Sequence, residues 1–281
     1  MRVVRRKDDL IKVTQEARSS GKLVGFVPTM GALHMGHLSL LSLAQKQTKF
    51  TVCSIFVNPT QFNNASDLEH YPRTEEADLA LLEEKGCDLV FIPEVSEMYP
   101  ANVQADHYDL GELENRLEGA HRPNHFQGVC TIVERLLRLV NPDHAFFGEK
   151  DFQQLAVIRK MVSLKKLPVT IHGGPTLREP NGLAMSSRNQ RLTEDQRNRA
   201  KVIHEQMKWM ADNAHQTDVK TLLNRASQAI EKEADFEVEY LAIADANTLE
   251  TLVKIEDSQN PHIFAAVNVK DVRLIDNLSI N

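Results

Sequence analysis

Nothing in the 281 residues supplies a disulfide framework, a membrane span or a broad basic surface. Only three cysteines occur, Cys53, Cys87 and Cys130. An odd number, without CxxC spacing and among apolar neighbours, excludes a disulfide scaffold and points to buried thiols in a reducing compartment. No stretch approaches the about 20 consecutive apolar residues that a helix needs to cross a bilayer, so no membrane partner is expected. Arg5-Arg6-Lys7 is followed by Asp8 and Asp9, where a signal peptide would need its apolar region, and the expected location is the cytoplasm. A formal charge of −6 excludes a general binder of nucleic-acid backbones, which displays an excess of Lys and Arg. Any anionic substrate must be held by a local basic cluster. Tandem repeats and low-complexity tracts are also missing, as is a convincing Ser-His-Asp or Cys-His set for covalent catalysis.

Core material, by contrast, is plentiful: 42% of residues are hydrophobic against 26% charged, and a chain this long favours two domains or one domain with a large extension. Residues 23–27 are almost continuously apolar, as in a parallel strand covered on both faces. Pro28-Thr29-Met30-Gly31-Ala32-Leu33-His34-Met35-Gly36-His37 follows, leading into a helical apolar face of Leu38, Leu40, Leu41, Leu43 and Ala44. Such a junction has the makings of a phosphate site. A helix beginning near Gly36 or His37 offers unpaired N–H groups and the positive end of its dipole, Gly31 and Gly36 allow close backbone approach, and His34 and His37 can donate to phosphate oxygens. The same histidines could instead only cap the helix. Zinc ranks below phosphate because no other ligand type with metal spacing accompanies them.

Further along, residues 50–57 read as a second buried strand that Pro59 ends, which puts Gln61 at its carboxyl end, where open α/β sheets bind ligands. Gln61 can donate and accept, which suits a substrate carrying both carboxylate and hydroxyl, or it is an ordinary polar loop residue. Residues 74–85 predict a helix with Thr74 as N-cap; Asp78 on it could orient a metal-bound phosphate or be an ordinary solvated acid. Strands are expected at 88–92 and 106–110. The donor-rich turn 121–126 could give Arg122 to an anion or to a surface carboxylate, and a helix with an apolar stripe from Val129 to Val140 follows it. A second strand-to-helix junction at 145–155 combines Gly148, the point charge of Lys150, Asp151 as cap or ribose acceptor, and Gln154 one turn inside the helix. After a strand at 168–172, Met185-Ser186-Ser187-Arg188-Asn189 is either an oxyanion set of two hydroxyls and a planar fork or a Ser-rich linker ending in a cap. Alternation of strand and helix then gives way to helices at 193–212 and 218–233 and strands at 237–244, 263–269 and 272–275. This predicts a smaller α+β domain over 177–281 behind an α/β domain over 1–176.

The motifs PTMGALHMGH, SIFVNPTQF, YPRT, HRPNHFQGV, FFGEKDFQQL, MSSRN and RLIDN, in this order and over nearly the full length, resemble those of the pantoate–β-alanine ligase family, within the HIGH-type nucleotidyltransferase superfamily. The resemblance implies a Rossmann-like parallel sheet with helices on both faces, a C-terminal lid domain and a homodimer. It also implies condensation of (R)-pantoate with β-alanine at the expense of ATP and with Mg²⁺, through a pantoyl adenylate. Carried over position by position, it makes Met30, Gly31, Ala32, Leu33, His34, Met35, Gly36 and His37 the nucleotide loop, with His37 in the proton-donor role. It gives ATP contacts to Gly148, Glu149, Lys150, Asp151, Leu177, Met185, Ser186, Ser187 and Arg188, with His34, His37, Lys150 and Arg188 as the catalytic set. Gln61 and Gln154 would hold pantoate, Gln61 would also meet β-alanine, and Asp78 would partner Mg²⁺. Asn124 and Lys270 stand where the family often has glycine, which puts local turn geometry in question. The rival expectations are another HxGH nucleotidyltransferase joining NMP to a phosphorylated acceptor, and a non-catalytic ATP-binding module.

Overall fold

The computed structural model describes residues 1–99 and 107–280. Two compact units emerge: Met1–Leu110, Arg122–Glu149 and Gln154–Pro175 make the first, and Gly111–His121, Lys150–Gln153 and Thr176–Asn281 the second.

The first unit is built on a sheet of six parallel strands: β1 (Arg2–Val4), β2 (Val24–Thr29), β3 (Phe50–Ile55), β4 (Leu89–Phe91), β5 (His144–Gly148) and β6 (Thr170–Gly174), in the order β1-β4-β3-β2-β5-β6. Successive connections run outward one way from β2 through β3 to β4, and the other way from β5 to β6. The sheet therefore reverses direction between β2 and β5, and in open α/β sheets ligands bind at the carboxyl ends of the strands flanking such a reversal. The β2–β5 ladder covers only Gly25 and Phe26, so Pro28, which has no N–H to offer, lies beyond it on that side. Five of the six β2 residues are buried, which requires cover on both faces. Helix Met35–Gln47 supplies one cover, through Leu40 and Ala44 against Val27 and Phe146 and through Leu38 and Leu41 against Cys53 and Ile55. Helices Lys7–Ser19 and His125–Val140 pack on each other and on β2.

In the second unit β7 (Phe236–Asp245), β8 (Pro261–Val269) and β9 (Val272–Ser279) form an antiparallel sheet. Alternation along β8 sorts its two faces. Ile263, Ala265 and Val267 pack with Met207 and Met210 of helix Lys201–Asn213 and with Leu222 and Ala226 of helix Val219–Ile230. Phe264 joins Leu113, Leu117 and Phe152, so the segments Gly111–His121 and Lys150–Gln153 cover the other face. A network of charges lies there too: Arg273 donates to Glu118 at 2.7 and 2.8 Å and to Glu239, and the Tyr240 hydroxyl donates to Glu118 at 2.7 Å. Burial beside Glu118 pushes the Tyr240 phenol well above its usual range.

Several local expectations change. The N-terminal strand and helix Lys7–Ser19 were not expected from the sequence, and the predicted helix at 193–212 is two helices, Glu194–Arg199 and Lys201–Asn213. The strand expected at 106–110 begins outside the described residues, and 107–110 carry no strand. Asn124 and Lys270 take the left-handed conformation at φ 64° and 54°, so each keeps the turn a glycine would make. All three cysteines are buried and free, and burial raises the Cys87 thiol to about 11 and Cys53 well above its ordinary value. Among the described residues no helix is long and apolar enough to cross a membrane.

Candidate active site

The histidine turn leaves the carboxyl end of β2, beside the reversal of the sheet, and enters helix Met35–Gln47. His34 is the N-cap residue. Its Nδ1 accepts from the Gly36 N–H at 3.2 Å, while Nδ1 of His37 accepts from the His34 N–H at 3.3 Å; the rings lie 4.1 Å apart. Because Nδ1 is an acceptor in both, the proton of each neutral ring sits on Nε2, which makes that nitrogen a donor. Capping and phosphate binding are thus compatible roles here, using different nitrogens. Gly31 and Ala32 carry φ of 81° and 49°, two consecutive left-handed residues that turn the chain from strand to helix. Met35, expected in the nucleotide loop, is 57% exposed on the first helical turn.

Gln61 is brought to this turn: its Nε2 lies 3.0 Å from Sδ of Met30, and its Oε1 accepts from Asn58 Nδ2 at 3.1 Å. Its backbone carbonyl accepts from Arg122 at 3.3 Å and bonds Nδ1 of His125 at 2.8 Å. Arg122 therefore has a partner in the protein backbone. Asn58 is buried and also takes the Tyr99 hydroxyl at 2.6 Å and donates to the Gly128 carbonyl at 3.2 Å. Sequence reasoning singled out neither Asn58 nor His125; a polar residue beside Pro59 and one just before an apolar helix were the only signals. Gly148 ends β5, across the reversal from Met30, Glu149 opens the 3₁₀ turn Glu149–Asp151 after it, and Gln154 is half-buried at the start of helix Phe152–Leu164.

The second unit holds the other expected contacts. β9 is their fixture: Asp276 receives a bidentate pair from Arg178 at 2.6 and 3.0 Å, and Asn277 Nδ2 donates to the Lys150 carbonyl at 2.8 Å. Asn277 is itself oriented by His262 at 2.9 Å. The N–H of Met185 donates to the Leu177 carbonyl at 2.9 Å, so these two distant expectations meet across one small hairpin. Ser186 caps the short 3₁₀ turn Ser187–Arg191 by accepting the Arg188 N–H at 3.3 Å. Lys150 and Ser186 line one small cavity with Ala184, Asn189, Leu274 and Asp276, and Lys150 Nζ stands 3.6 Å from Asp151. A hydroxyl and a lysine in one lining are donors of the kind that phosphate oxygens accept.

Asp78 has a different setting from the one expected. Its carboxylate is 1% exposed and accepts the N–H groups of Ala32 at 2.8 Å and Leu33 at 2.7 Å and the Thr74 hydroxyl at 3.1 Å. It is neither a solvated acid nor a carboxylate open to a metal. Among the described residues no group of three or more His, Cys, Asp or Glu could hold a metal ion, so the residues present do not build a dedicated Mg²⁺ site.

A family model described as pantoate-beta-alanine ligase matches residues 2–279. A curated pantothenate synthetase from Christiangramia forsetii is 44% identical over 282 residues, covering all of both chains. The crystal structure of pantothenate synthetase from Thermus thermophilus superposes with a TM-score of 0.91 at 42% identity, covering 100% of this chain and 99% of that one. A pantoate-beta-alanine ligase from Francisella tularensis, solved with a β,γ-ATP compound and β-alanine, gives 0.84 at 32% identity, covering 99% and 97%. One ligase family matched almost end to end, on a sheet whose reversal carries the histidine turn, leads to one conclusion: the chain belongs to the pantoate–β-alanine ligase family.

Proposed function

We propose that the protein condenses (R)-pantoate with β-alanine to pantothenate, consuming ATP and releasing AMP and diphosphate. The observation that carries this reading is the match of a single ligase family over residues 2–279. The residue chemistry supports it. A carboxylate is a poor electrophile, and attack of a pantoate carboxylate oxygen on the α-phosphorus brings anions together. Donors fixed before reaction relieve that repulsion most as charge builds in the transition state. His34 and His37 supply Nε2–H donors, His37 as the proton donor, and Lys150, Ser186, Ser187 and Arg188 are donors for phosphate oxygens in the second unit. Gln61 and Gln154 hold pantoate, with Gln61 also meeting β-alanine.

The α-phosphorus–diphosphate bond breaks as the acyl–phosphate bond forms. The free amine of β-alanine then attacks the acyl carbon, AMP departs, and the amine proton goes to solvent or a buffer base. No protein nucleophile is required. Mg²⁺ would come with ATP and would supply charge neutralisation at the phosphates, with no residue of this chain assigned to hold it. The segment 177–281 acts as a lid that keeps water from the mixed anhydride. The enzyme works as a homodimer in the cytoplasm.

The test is release of AMP and diphosphate by the purified protein from ATP, Mg²⁺ and pantoate, with and without β-alanine. Pantothenate that requires all three substrates is the expected result. Absence of pantoate-dependent turnover in a folded protein that binds ATP would reject the reading.

A further inference from the structure

The left-handed pair Gly31 and Ala32 shapes the histidine turn, and Ala32 at φ 49° occupies a region that side chains other than glycine avoid. Something outside the turn must hold it there. The carboxylate of Asp78 on helix Glu75–Glu84 is bonded to this backbone and takes two consecutive N–H groups, those of Ala32 and Leu33, one on each oxygen. Thr74, the N-cap residue of that helix, donates to Oδ1 and orients the group. The carboxylate lies directly against the turn: a Cβ placed on Gly31 would stand 3.1 Å from Asp78 Oδ2 and 3.0 Å from Cγ2 of Ile55. Around it Leu33, Leu38, Ile55 and Leu82 form an apolar cluster. In such surroundings a charged acceptor is costly unless satisfied, and bonds to it are stronger than neutral ones. Three of its roughly four acceptor positions are taken by protein donors.

We propose that Asp78 is a positioning residue for the histidine turn, fixing the backbone of Ala32 and Leu33 so that His34 and His37 are presented to the nucleotide, and that it is not a ligand of the metal accompanying ATP. The catalytic consequence rests on the ligase reading above; the anchoring itself does not. Asp78 touches no reacting atom and acts through the backbone.

Asp78→Asn keeps the size and places an NH₂ against one of the two N–H donors. In the folded variant, hydrogen exchange followed by NMR accelerates at the Ala32 and Leu33 amides by about tenfold or more, the scale of one lost charge-assisted bond. The kcat of adenylate formation falls by a similar factor, the KM for pantoate stays within about twofold, and the Mg²⁺ concentration for half-maximal rate is unchanged. Unaltered protection of both amides would overturn the proposal, as would a tenfold higher Mg²⁺ requirement with protection intact. Should Asp78→Asn not fold, Thr74→Val removes only the orienting bond; smaller acceleration at the same amides is expected, and none would be decisive against it. If the unsubstituted protein turns over no pantoate, the exchange measurement still decides the anchor, so the two readings fail separately.

Discussion

Each histidine of the turn accepts a backbone N–H through Nδ1, and at other residues of the candidate site too the backbone is locked by neighbours. Lys150 has its carbonyl fixed by Asn277, so truncating its side chain leaves the local backbone in place. Lys150→Ala is expected to melt within a few degrees of the unsubstituted protein and to form adenylate about 10²-fold more slowly, the loss typical of one transition-state donor. Single-turnover release of diphosphate measures it. Gln61 is held the same way, its carbonyl by Arg122 and His125, and Gln61→Ala should raise the KM for pantoate about tenfold or more with the KM for ATP little changed. Steady-state kinetics in each substrate separates the two. At this scale the sequence named both residues from their types and places, yet it could not name Asn58 or Asp276. A buried amide or carboxylate looks the same on paper as a solvated one until its partners are known.

At the scale of the element, helix His125–Val140 passes so close to the turn Pro59–Gln61 that one of its positions admits no side chain. A Cβ on Gly128 would lie 2.5 Å from the Thr60 carbonyl oxygen, 2.8 Å from its carbon and 3.0 Å from the Gln61 nitrogen, all backbone atoms that cannot swing aside. Gly128→Ala gains up to about 1 kcal/mol in helix propensity. Overpacking of about 1–3 kcal/mol should outweigh it and displace Gln61. A lower urea midpoint together with a raised KM for pantoate is the expected signature, and unchanged stability would contradict it. Periodicity revealed the apolar stripe of this helix readily, but a spacing rule reports which face is inward and not what backbone crosses it. Likewise β1, three residues at an edge, is too short to show any period.

For the whole molecule, three histidines in both units are held toward the neutral form. Burial and the neighbouring His144 lower His172, burial and the neighbouring Arg178 lower His204, and burial lowers His262, which packs against Phe152 and Phe264. Unfolded histidines titrate near about 6.5. Below that pH the unfolded chain binds more protons than the native one, so stability, complete above it, declines as pH falls toward the lower native values and then levels off. Melting temperatures should therefore drop between pH 7.5 and about 5. His262→Gln, which can still donate to Asn277, should flatten that slope; an unchanged slope would show that His262 contributes nothing to it. The depressed carboxyls of Asp218 and Asp245 act in a separate window, below the usual carboxylate range.

The order of local patterns already indicated a parallel α/β sheet, a smaller α+β unit after it and the two strand-to-helix junctions, because buried strands, amphipathic helices and glycine-marked turns are short-range signals that each segment carries alone. Left to the tertiary structure were the pairings between segments far apart in the chain. Leu117 and Phe152 join the core of β8, Asn277 reaches the backbone of Lys150, and Asp78 closes on the turn before His34. Those bonds form only when the chain is folded, since a donor finds its acceptor through three-dimensional proximity and burial makes leaving either one unpaired costly.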